Sequence, residues 1–171
     1  MKYRILYVAT LIAFMLFTSC SNDDSDSDDA LNGTWRLTEF NSFMPLDLNN
    51  DGTPSINLLT EIDCLENETL VFESNNIVVS NNTSFFDIEI DLEIGTTNEF
   101  IYSVNCEEDI YSFTMTYTQD GATVILNDDG DLSVGLINGN TLSFTFEGDL
   151  DIENENGDET SGDFILVYTK Q

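Results

Sequence analysis

Ser84-Phe85-Phe86-Asp87-Ile88-Glu89-Ile90-Asp91-Leu92-Glu93-Ile94 is the stretch that decides the fold. Phe86, Ile88, Ile90, Leu92 and Ile94 recur at every second position, and Asp87, Glu89, Asp91 and Glu93 fill the positions between. Successive side chains of a strand point to opposite faces, so this period of two gives one dry face and one wet face. The four acids read as a solvated outer face rather than as a ladder for cations.

The same punctuation continues in both directions. Upstream, residues 35–40 form a first strand, and 68–74 with 76–80 form a hairpin. Downstream, Phe100, Tyr102 and Val104 share a face, as do Tyr111, Phe113, Met115 and Tyr117. Asp120-Gly121 and Asn138-Gly139 are expected as two-residue type I′ turns, because both residue types accept positive φ. Asn127-Asp128-Asp129-Gly130 makes another turn. Strands over 122–126 and 132–137 lie between these turns, followed by an inward row of Leu142, Phe144 and Phe146. A polar loop over 153–162 precedes a closing strand, 164–170. The one helical candidate is 55–62, where Ser55 would cap a short turn bearing Leu58, Leu59 and Ile62. Nine or ten short strands solve their edge problem by closing on themselves. The expectation is an all-β, antiparallel, up-and-down β-barrel of about 8–10 strands over residues 31–171.

The start of the chain has a different character. Lys2 and Arg4 precede an uncharged, largely apolar run from Ile5 to Phe17, and Thr18-Ser19 lead into Cys20. A membrane span needs about 20 apolar residues, so this run is too short for one and reads as an export signal, 1–19. Cleavage before Cys20 would make it the acylated first residue of a bacterial lipoprotein, held in a lipid bilayer by several chains. Residues 20–30 then form an acidic tether with nothing to pack. An acidic run directly after the lipidated cysteine resembles the surface-export signal of Bacteroidetes lipoproteins, which implies an outer-membrane protein displayed at the cell surface.

Without residues 1–19, Arg36 and Lys170 face 33 Asp and Glu, a formal charge of −31. Such a field repels nucleic acid and anionic lipid headgroups, so neither is expected as a partner of the folded domain. The chain is 41% hydrophobic, enough for a packed core despite its acidity. Histidine is absent, which removes the Ser-His-Asp triad and His-ligated zinc. No nucleophile motif replaces them, and the chain is not expected to be an enzyme. Cys64 and Cys106 remain once Cys20 carries lipid, and an oxidising compartment favours a disulfide between them.

Gly33-Thr34-Trp35, at the entrance of the first strand, resembles the Gly-x-Trp signature of lipocalins, and in particular the lipocalin-like domain of Bacteroidetes lipoproteins. The resemblance implies that Trp35 plugs the closed end of the barrel under a basic side chain. Lys170 is the better candidate for that cover, because Arg36 follows the tryptophan and should face the other way. The resemblance further implies a monomer that binds a small apolar ligand. The alternative is a cell-surface structural or protein-interaction module, without a pocket and stabilised by calcium.

The calcium reading comes from Asp47-Leu48-Asn49-Asn50-Asp51-Gly52, the opening of an EF-hand-type loop. Asp47, Asn49, Asp51 and the carbonyl of Thr53 stand at the alternate positions that turn oxygens toward one point. The twelfth position is Leu58, which cannot ligate, so Glu61 or Asp63 would have to complete the site.

Overall fold

The computed structural model describes residues 31–93, 100–153 and 159–171. The export signal, Cys20 and the tether lie outside the described residues, as do Ile94 and the middle of the polar loop. Nine strands run in chain order: β1 (Gly33–Leu46), β2 (Ser55–Asn57), β3 (Thr69–Glu73), β4 (Ile77–Leu92), β5 (Phe100–Asp120), β6 (Thr123–Asp128), β7 (Asp131–Asn138), β8 (Thr141–Glu153) and β9 (Glu159–Lys170). Strands β3 to β9 pair antiparallel with their chain neighbours, β1 pairs with β3, and β9 returns to β1. The result is a closed, eight-stranded, up-and-down barrel of the lipocalin-like type, with β2 as an outer strand. Closure removes the sheet edges around the Trp35 end, while β4 runs on past Asn81 beyond the start of β3.

The nine strands fall within the expected count, but some read as separate are merged into longer ones, because a bulge resets the alternation without ending the strand. From Ser84 to Asn82 β4 advances two residues while β5 advances three, from Glu108 to Tyr111. The extra residue shifts the inward positions of β5 from Tyr102 and Val104 to Phe113, Met115 and Tyr117. It leaves Ile110 at the bend, 82% exposed. A second bulge at Thr38 and Glu39 of β1 moves the buried parity from Trp35 and Leu37 to Phe40 and Ser42. The expected strands 76–80 and 84–94 are thus one strand, β4. The expected helix over 55–62 is corrected too. β3 reaches only Arg36 of β1, so β2 takes over the exposed edge at Asn41 and Leu46. Beyond β2 comes a single 3₁₀ turn, Leu58–Thr60, capped by Asn57 and not by Ser55.

Two of the turns also differ in kind. Asp120 pairs with Thr123 and Asn138 with Thr141, so the turn residues are Gly121-Ala122 and Gly139-Asn140. Only the glycine of each has positive φ, at 58° and 60°, which defines type II′ turns with glycine first. The type I′ turn lies at Asp129-Gly130, where both φ values are positive.

Two clusters fill the interior. Around Trp35, at the end that carries the Gly121-Ala122 and Gly139-Asn140 turns, pack Leu31, Phe72, Val78, Leu142 and Phe144. Toward the other end Leu37, Phe40 and Leu46 of β1 meet Leu48, Leu58 and Cys64, which arrive on the β1–β3 connection. Phe86 and Ile88 of the opening stretch lean on this second cluster while Asp87 and Asp91 are exposed, so the alternation holds at these four positions.

Candidate functional site

Trp35 has no exposed surface, and its Nε1 donates to the Leu31 carbonyl at 2.7 Å. The Lys170 ammonium lies 5.6 Å from the ring centroid, brought there because Trp35 and Lys170 are paired across β1 and β9. Arg36 points away and donates through Nε to the Glu66 carbonyl at 3.1 Å. Gly33 has φ of +120°, which favours glycine at the mouth of β1. Gly33 thus opens β1 onto a buried Trp35 floor with a cationic cover, packed among Leu31, Phe72 and Leu142, while Thr34 between them pairs with Val71 of β3.

The opposite end carries a cavity that is partly open to solvent. It has a volume of about 450 Å³ and lies above the second cluster, walled by Phe40 of β1, Phe86 and Ile88 of β4, Leu150 of β8, and Phe164 and Leu166 of β9. Aromatic edges make much of the wall: Phe40 meets Phe86 at 5.5 Å and Phe164 at 5.3 Å between centroids. Phe146 stacks on Phe164 at 4.6 Å. This volume falls within the range of small-molecule sites, which are mostly apolar with a few placed polar groups.

The polar groups of the lining are Glu68, Asn82, Ser84, Asp87, Tyr111 and Tyr168; Asp87 and Tyr111 are exposed at its rim, and Glu68 is the buried carboxylate. Glu68 is 4% exposed and belongs to the cavity wall. Its Oε1 accepts from the Thr83 and Ser84 amides at 2.8 and 3.2 Å, and from both hydroxyls at 3.0 and 3.4 Å. The reason is local. β3 begins only at Thr69, so β4 beyond Asn81 has no β3 partner, and the carboxylate stands in for the missing carbonyls. Its other oxygen, Oε2, is buried and has no hydrogen-bond partner. Burial raises the pKa of the Tyr168 phenol above its ordinary 10.0, and the nearby charge of Glu68 raises it further. Sequence reasoning passed over Glu68 as one acid among 33. The available signal was parity: Glu68, Leu70 and Phe72 stand two apart, and Leu70 and Phe72 are both buried.

Cys64 and Cys106 form the disulfide, with Cα atoms 5.7 Å apart. It joins the segment behind the 3₁₀ turn to β5, and so fixes Leu65 as part of the cavity wall.

The Asp47–Gly52 loop folds onto itself. The two Asp47 carboxylate oxygens accept from the Asp51 and Gly52 amides at 3.0 and 2.9 Å. Asn49 Oδ1 accepts from Asp51 at 2.9 Å, and Asp51 Oδ1 accepts from the Thr53 amide at 2.8 Å. Glu61 is buried at the end of the 3₁₀ turn, its Oε2 without a hydrogen-bond partner. Among the described residues no three His, Cys, Asp or Glu gather as a metal-holding group, so Asp47, Asp51 and Glu61 do not converge. The loop is formed as a chain of Asx turns.

Outside the barrel, β7 carries Leu132, Val134 and Leu136 at 65%, 55% and 56% exposure, an apolar row facing away from the core. No protein-family model matches the chain, and neither curated proteins nor solved structures yield a match.

Proposed function

We propose that this chain is a lipocalin-like lipoprotein of the outer membrane, tethered through Cys20 and displayed at the cell surface, whose barrel binds a small apolar ligand. The observation that carries the reading is the aromatic-walled cavity at one end of a barrel whose other end is closed by Trp35. A filled small barrel would serve as a structural module, and a void among Phe, Leu and Ile is the feature that separates the two. The placement of Leu31 supports the topology. It packs against Trp35 at the closed end, so a tether to lipid would join the barrel at that end, away from the cavity.

Native mass spectrometry of protein extracted from its own host's membranes tests the reading. A bound small molecule on an acylated chain that begins at Cys20 is the expected result. A ligand-free, unacylated chain would overturn it. The row Leu132, Val134 and Leu136 favours a second reading, a protein-interaction module that docks through β7. Under that reading Val134→Lys abolishes partner capture while apolar ligands never bind.

A further inference from the structure

We propose that the cavity takes an amphipathic amine, with its apolar body among Phe86, Phe164 and Leu166 and its ammonium group against Glu68. This deepens the ligand-binding reading and rests on it. Glu68 is almost fully buried and belongs to the cavity wall. Its structural duty to Thr83 and Ser84 uses Oε1 alone. Among the described residues the second oxygen, Oε2, has no hydrogen-bond partner, and a glutamine would keep one oxygen to accept from the two β4 amides.

A buried carboxylate with an unmatched oxygen is strongly unfavourable unless a cation or donor meets it. The two basic residues of the barrel are placed elsewhere, Arg36 at the Glu66 carbonyl and Lys170 over Trp35 at the closed end. The complement to Glu68 is therefore a group from outside the chain. An ammonium group fits best, because it brings donors without acceptors and a positive charge to a negative one. The strongly acidic surface concentrates cationic ligands around the barrel and disfavours carboxylates.

Decylamine, decan-1-ol and decanoate share one chain and differ only in the head, so calorimetric titration of the three isolates its contribution. Decylamine should bind at least tenfold tighter than decan-1-ol, with decanoate weakest, in both 150 mM and 500 mM salt. Glu68→Gln, checked for an unchanged fold by its melting curve, should lose the amine preference, so that decylamine binds no tighter than decan-1-ol to the variant. Equal affinities for amine and alcohol in the parent, or an intact preference in Glu68→Gln, would overturn the proposal and leave the cavity reading standing. Failure of all three to bind would remove the cavity reading and this proposal together. Should Glu68→Gln not fold, the salt series on the parent decides, because salt screens the surface field and leaves a buried pair largely untouched. A preference that vanishes at 500 mM salt counts against Glu68.

Discussion

Replacing Cys64 and Cys106 together by alanine removes the one covalent tie between the β1–β3 connection and the barrel wall. The cysteines are 42 residues apart in sequence. On the chain-entropy model, opening a loop of that length relaxes the unfolded state by about 4 kcal/mol at 25 °C. Cys64 is 2% exposed among Leu46, Leu58 and Leu65, so shortening it adds a small packing loss. For a domain of this size each kcal/mol corresponds to roughly 3–4 °C in melting temperature, which predicts a fall of about 12–16 °C. Differential scanning calorimetry of the oxidised parent and the double variant, without reductant, measures it. Reductant should lower the parent toward the variant and leave the variant unmoved. A fall under 3 °C would show that the connection is held by its apolar contacts alone, and the disulfide's part in shaping the cavity wall would fail with it.

Single side chains give three further expectations. Trp35 is the only tryptophan and is fully buried, so the folded protein should emit in the blue range of a shielded indole, and Trp35→Ala should cost about 3–5 kcal/mol in denaturant melts; emission typical of water-exposed indole would contradict the sealed floor. A Cβ at Gly135 would stand 2.6 Å from Phe144 Cε1, so Gly135→Val should destabilise by about 1–3 kcal/mol in the same melts, and an unchanged midpoint would contradict this close approach of β7 to the Phe144 ring. Tyr168 has a folded pKa raised above 10.0, so its contribution is intact below pH 10 and is lost as pH rises through the folded value; stability should therefore decline above about pH 10, and Tyr168→Phe should flatten that decline.

Local alternation and turn chemistry carried most of the fold. Phe86 to Glu93 reads directly as a strand with one wet face, and Asp129-Gly130 as a tight turn. What alternation cannot express is an extra residue. At Ile110 and at Thr38-Glu39 the pattern breaks, and a break looks the same whether the strand ends or merely bulges. The turns slipped by one residue for a related reason, since Gly121 and Gly139 mark the positive φ without revealing which neighbour shares the loop. The floor of the barrel was legible because Trp35 and Lys170 are scarce residue types. Glu68 was not, because its role depends on β3 beginning one residue after it, which is a fact of pairing and leaves no mark on composition.

The central claim, an apolar site inside the barrel mouth, is tested most directly by titrating decan-1-ol into isotope-labelled protein and following its NMR spectrum. Saturable shifts confined to Phe40, Phe86, Leu150, Phe164 and Leu166 are expected, with Trp35 and the outer row Leu132, Val134 and Leu136 unmoved. Shifts at that outer row alone, or none at saturating alcohol, would contradict the claim.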